Sequence, residues 1–231
     1  MQANDVNVVL AHGAWADGSS WSKVISRLKA RGINAIAAPL PLTSFTDDVA
    51  ALDRSLERID GPVVLVGHAY AGAVIAATDS DKVKSLVYIA ALAPDEGETV
   101  ADVFYRAEPH PQAPKLEPDA NGLVWLPEDA FVAAFAQNAS RKEQDLLAAG
   151  QRPIAVPCIS TPVGRPLWKS QPSWFLVAEQ DHMIAAETQR FMAGRMKAQV
   201  RSYPVDHTPS VTAPDLVVDI ILDARRGAIA A

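Results

Sequence analysis

The sequence predicts an α/β fold, with a mostly parallel central sheet, helices on both faces and one inserted cap. Three observations lead there. Short β-branched runs alternate with stretches of helical apolar spacing, the order that builds parallel sheets. The strand runs are apolar almost throughout, as strands covered on both faces are. One long tract in the middle breaks the alternation, and order resumes after it.

Residues 6–11 read as a buried strand with only Asn7 polar, ending in His12-Gly13-Ala14-Trp15. A helix follows, with Trp21, Val24, Ile25 and Leu28 on its apolar face. Lys29 and Arg31 fill its last turn, and Gly32 is the C-cap. Residues 33–38 form a second strand, stopped by Pro39 and Pro41. Thr46-Asp47-Asp48 reads as a helix N-terminus, a capping hydroxyl followed by acids that suit the dipole. Val49, Leu52, Leu56 and Ile59 continue that helix.

Residues 62–67 are a third strand, 71–78 a small-residue helix, and 83–91 a fourth strand. Between them lies Gly67-His68-Ala69-Tyr70-Ala71-Gly72, a sharp strand-to-helix turn. Residues 94–169 then hold ten of the seventeen prolines, with helical stretches at 128–137 and 140–149. This tract is too long for a plain loop and too irregular for another βα unit, so it reads as a cap. Residues 1–93 and 170–231 form the core around it. The strand at 173–178 ends in Glu179-Gln180-Asp181, 185–195 is a helix, and 199–203 is the last strand. After Asp206-His207, Pro214 opens a terminal helix.

Composition narrows the function. Hydrophobic residues make up 49% of the 231 residues, the globular range. The net charge of −6, without a long run of one sign, argues against nucleic-acid or anionic-membrane partners. A single cysteine, Cys158, rules out an intrachain disulfide and a thiolate cluster. Met1 to Asp5 lack a basic leader, and no apolar run approaches a membrane span of ~20 residues. A cytoplasmic protein is expected, with no cofactor and no metal site. The oligomeric state stays open, a homodimer included.

In a parallel sheet, functional residues collect at the carboxyl ends of the strands. Those ends carry His12-Gly13-Ala14-Trp15, the turn at Ala69, Asp181 and His207. Together these segments resemble the α/β-hydrolases of the hydroxynitrile-lyase and plant methylesterase-like branch. That branch has an H-G-A-W type segment, G-H-S-x-G-G at the elbow, a late Q-D or K-D, and a D-H before the final helix. The likeness covers about two thirds of this chain (the core on either side of residues 94–169).

The resemblance implies an α/β-hydrolase fold and a carboxylic ester hydrolase working through an acyl-enzyme on a small or medium, partly apolar ester. It makes Ala69 the nucleophile position, where serine is expected, His207 the general base and Asp181 its partner. The backbone N–H groups of Ala14 and Tyr70 would form the oxyanion hole, with His12 supporting the first loop. Ala69 has no hydroxyl, so the chain is expected to be inactive in acyl transfer.

Two origins of the alanine compete. One is an inactive mutant in which serine was exchanged to trap a substrate or product. The other is a natural, non-catalytic small-molecule binding protein or receptor. The intact surroundings favour the first. A hydroxynitrile-lyase-like lyase is a third possibility. It would need a polar or cationic helper, commonly a lysine, and no lysine stands near the relevant strand ends.

The remaining singular residues have plainer expectations. His68 reads as structural and His182 as a loop or pocket-rim residue, while His110 has no assignment. Trp15 is the tryptophan expected in the substrate pocket. Trp21 is expected in the core, and packing is the default for Trp125 and Trp168. Cys158 is expected to be a small buried residue.

Overall fold

The computed structural model describes residues 6–230, so the stretch Met1 to Asp5 lies outside the described residues. Strand β1 (Asn7–Ala11) leads through a 3₁₀ turn (Gly18–Trp21) into α1 (Ser22–Lys29). Then come β2 (Ala35–Ala38), α2 (Phe45–Glu57), β3 (Val63–His68), α3 (Ala71–Ile75) and β4 (Val83–Ile89). The excursion that follows holds α4 (Val100–Phe104), β5 (Leu123–Val124), α5 (Glu128–Ala130), α6 (Arg141–Ala149), β6 (Ile154–Ala155) and α7 (Val156–Ser160). The core closes with β7 (Ser173–Ala178), α8 (Ala186–Arg195), β8 (Gln199–Tyr203), α9 (Pro209–Thr212) and α10 (Pro214–Ala230).

The central sheet has six strands in the order β2-β1-β3-β4-β7-β8. Every neighbouring pair in it is parallel. All carboxyl ends therefore lie along one edge, and the four chemically informative loops meet there. Alternation along β3 feeds two cores. Val63 and Leu65 face the side of α2, α3 and the excursion, and Val64 and Val66 face α1 and α10. Trp21 at the end of the 3₁₀ turn, Val24 and Leu28 of α1 and Val217, Val218 and Ile221 of α10 complete the second core. Each such side chain contributes about 1.5–3 kcal/mol when fully buried.

Residues 94–169 leave the sheet after β4 and return to it at β7, which pairs directly with β4. Leu123 and Val124 pair antiparallel with Ala155 and Ile154, a small second sheet that the sequence did not suggest. The single helix expected over 128–137 is instead α5 followed by a π-helical turn, Phe131–Phe135. Its wider winding shows in the bond from the Ala136 N–H to the Phe131 carbonyl, 3.0 Å.

Other local expectations need correction. Ser44 caps α2, not Thr46. Ser44 is extended and its side chain accepts from the Asp47 N–H, while Thr46 already lies inside the first turn. The helix expected over 71–78 ends at Ile75. The strand expected over 83–91 ends at Ile89, because Ala90 turns to φ +44°. Helix α3 packs so closely on the loop after β4 that a Cβ at Gly72 would stand 2.3 Å from the Leu92 carbonyl oxygen. Among the described residues, no helix is long and apolar enough to cross a membrane.

Candidate active site

Strand β3 delivers Ala69 into the turn before α3. Ala69 has φ +49°, a left-handed backbone that costs an ordinary residue about 1–2 kcal/mol. The turn is held by backbone bonds: Ala69 N–H to Ile89 O at 3.3 Å, Gly72 N–H to Ala69 O at 3.1 Å and Leu92 N–H to Ala69 O at 2.9 Å. The loop after β1 comes close on one side. A Cβ at Gly13 would stand 2.9 Å from the Ala69 Cβ. Only glycine allows this approach. Ala14, Ala69, Tyr70 and His207 all line one cavity of about 320 Å³. The N–H groups of Ala14 and Tyr70 have no acceptor among the described residues.

The loops after β7 and β8 bring Asp181 and His207 together. His207 Nδ1–H donates to Asp181 Oδ2 at 2.8 Å, and both side chains are buried. This bond fixes the tautomer and leaves Nε2 as the free ring nitrogen. Asp181 is held in turn. Its Oδ1 accepts from the Met183 and Ile184 N–H groups at 2.7 and 2.9 Å. Its Oδ2 also accepts from Gln189 Nε2 at 2.8 Å. Gln189 sits fully buried on α8, and its Oε1 accepts from the Ala178 N–H at 3.0 Å. Sequence reasoning missed Gln189, although an amide one turn into a helix beside the candidate acid was the available signal.

The other histidines support the site from outside the cavity. His68 Nε2–H donates to the His207 carbonyl at 2.7 Å, joining β3 to the loop that carries His207. Burial in an apolar setting pulls His68 down from its ordinary 6.5 to about 3, so it stays neutral there. His12 donates from Nδ1 to Gly13 O at 2.9 Å and accepts at Nε2 from the Leu40 N–H at 3.2 Å. That ties the Gly13 loop to the loop after β2, and burial lowers this ring as well. His182 stacks on His110 with ring centroids 3.8 Å apart and donates from Nδ1 to Ala133 O.

Trp15 is part of the cavity wall. Its Nε1 donates to Val124 O at 2.9 Å, and its own N–H donates to Arg152 O at 3.0 Å. Both bonds join it to the excursion. Trp21 is fully buried in the core, Trp168 packs near Arg195, and Trp125 is half exposed. None of these three lines the cavity.

A buried polar cluster backs the elbow. Asp48 accepts from the Tyr70 hydroxyl and from the Leu42 N–H, both at 2.7 Å, with Cys158 Sγ at 3.6 Å. Burial raises the Asp48 carboxyl and pushes the Cys158 thiol up to about 12. The phenol of Tyr70 is raised too, so it acts as a fixed hydrogen-bond donor. Asp48 lies in the first turn of α2, as expected of an acid at a helix start, and is also a fully buried acceptor. No group of three or more potential metal ligands occurs among the described residues.

The sequence model of the alpha/beta hydrolase family matches residues 8–220. The chain belongs to this family. Its similarity to a pyrethroid hydrolase of Sphingobium wenxiniae is 26% identity over 250 residues, covering 94% of this chain and 86% of that protein. Methylesterase 8 of Arabidopsis thaliana is 25% identical over 244 residues, covering 93% of this chain and 87% of that protein. Among solved structures, polyneuridine aldehyde esterase superposes with a TM-score of 0.84 at 19% identity, covering 95% and 98% of the two chains. This alpha/beta hydrolase thus has esterases among its relatives.

Proposed function

We propose that this alpha/beta hydrolase carries the site of a carboxylic ester hydrolase, with alanine where the nucleophilic hydroxyl belongs. The observation that carries this is the strained backbone of Ala69, kept at φ +49° in a cavity that also contains His207, the partner of Asp181. Such a conformation serves to present a side chain, and here it presents a methyl group.

With serine at this position, acyl transfer would run in two steps. The hydroxyl oxygen attacks the ester carbonyl carbon while His207 Nε2 takes its proton. The negative charge on the carbonyl oxygen falls to the N–H groups of Ala14 and Tyr70. His207 then returns the proton to the departing alcohol, and water releases the acid by the same route. Asp181 holds the ring and stabilises the imidazolium. A single oxyanion donor is worth roughly 2.7–4 kcal/mol of barrier elsewhere. With a methyl group at residue 69 no acyl-enzyme forms, so this chain is inactive in acyl transfer.

The substrate is a small, apolar ester. The cavity wall is almost wholly apolar, with no carboxylate, lysine or arginine among its side chains. Residues 94–169 act as the cap, since Phe104, Leu116, Val124 and Ile154 supply much of that wall. The ester substrates implied by the names of the pyrethroid hydrolase and the methylesterase support the same class. A lyase is less well supported, because no lysine lines the cavity.

The test is Ala69→Ser assayed on a short-chain p-nitrophenyl ester. Hydrolysis above the parent chain is expected. Saturable binding of an apolar ester without any gain in hydrolysis would favour a binding protein on this scaffold.

A further inference from the structure

The sequence marks Asp206 only as the neighbour of His207, and the acyl-transfer scheme gives it no part. It is nevertheless fully buried and makes three hydrogen bonds. Its Oδ1 accepts from the Thr208 N–H at 3.3 Å and from Thr212 Oγ1 at 2.6 Å. Its Oδ2 accepts from the backbone N–H of Asn138 at 3.0 Å. Asn138 lies just past the π-helical turn Phe131–Phe135.

That turn makes further bonds to the same two loops. Ala133 O accepts from His182 Nδ1 at 2.8 Å, beside Asp181. Phe135 O accepts from Thr208 Oγ1 at 3.1 Å, beside His207. Gln137 Nε2 donates to Gln180 O at 2.7 Å. The Phe135 ring lies 5.3 Å from the His207 ring and 6.2 Å from Trp15. Inserted turns of this kind recur at functional sites.

We infer that Asp206 is a positioning residue, a buried carboxylate that ties the His207 loop to the backbone of the cap beside the Thr208 hydroxyl, so that the cap sets the orientation of the base as well as the shape of the cavity. Asp206 does not touch the reacting atoms. It acts through the 206–208 turn, which it closes from the inside, and through Asn138, which anchors that turn to the cap. The inference rests on His207 being the base, as proposed above.

Asp206→Asn separates the two functions of the carboxylate. The amide oxygen can still accept from Thr208 and Thr212, but its NH₂ then meets the Asn138 N–H, donor against donor. Thr212→Val is the counterpart. It weakens the same carboxylate's surroundings and leaves the cap bond in place. The readout is the His207 Nδ1–H proton in the chain as it stands, a downfield NMR signal assigned by its loss in His207→Gln.

In D206N this proton should exchange with solvent about tenfold faster than in the parent, as the loop opens locally. T212V should lose stability with the exchange unchanged. Thr208→Val cuts the second bond from the cap to the His207 loop and should also speed exchange, which gives a test should D206N not fold. In the Ala69→Ser background, D206N should lower kcat about tenfold with KM unchanged. Parent-like exchange in both D206N and T208V would overturn the inference. An inactive Ala69→Ser parent would count against the ester reading and leave the exchange result standing.

Discussion

The two halves of the site are held by different means. The elbow around Ala69 is fixed by backbone: three main-chain bonds, a positive φ and close approaches at Gly13 and Gly72. The half that carries His207 is fixed by side chains, through Asp181, Gln189, His68 and Asp206. The difference explains how an alanine sits at the apex without disturbing the turn. It also means that the two halves fail differently. Substitutions in the base half should cost chemistry first, and substitutions in the elbow should cost folding first.

The largest effect is expected at His207, the base of the proposed scheme. In the Ala69→Ser background, His207→Gln should lower kcat by a factor on the order of 10⁴ or more, while thermal unfolding stays close to that background. Steady-state kinetics and a melting curve check both parts. A comparable loss of stability would blur the contrast between the halves.

His68 bridges them, and its effect is read in acid. Folding holds its ring at about 3 against an ordinary 6.5, so the folded state disfavours the charged form. That contribution is complete above pH 6.5 and is lost as pH falls toward 3, at up to about 1.4 kcal/mol per pH unit. His12 shifts in the same direction. Urea unfolding measured from pH 7 to 4 should show the decline, and His68→Gln should flatten it. An unchanged slope in the variant would place the acid sensitivity elsewhere.

Gly72→Ala tests the elbow itself. Its Cβ would meet Leu92 O at 2.3 Å, a backbone atom that cannot swing aside. The expected loss is about 1–3 kcal/mol of stability by chemical denaturation. The smallest effect is Tyr70→Phe. It removes the hydroxyl bonded to Asp48 but keeps the backbone N–H, so about 1 kcal/mol of stability should go while the proposed oxyanion donor remains. In the Ala69→Ser background its kcat should stay near that of the parent.

The same division governs what the sequence made legible. The strands Ser173–Ala178 and Gln199–Tyr203 match the residues expected for them, the first as a buried apolar run. The four loop ends that meet at the cavity were readable because a parallel sheet puts all its carboxyl ends on one edge. The bonds of Asp48, Gln189 and Asp206 were not readable. Each depends on a partner set by tertiary packing, such as Tyr70 for Asp48 or Asn138 for Asp206. The π-helical turn was hidden for a related reason. Its apolar spacing fits an ordinary helix, and its bonds to the two loops are what the wider winding serves.

One measurement bears most directly on the claim that a single oxygen is missing from an otherwise assembled site. Ala69→Ser is incubated with an electrophilic apolar phosphonate ester, and its intact mass and peptide map are recorded beside the parent chain. One stoichiometric adduct is expected, on the peptide spanning residues 67–72, and none on the parent. No adduct, or one located elsewhere, would contradict it.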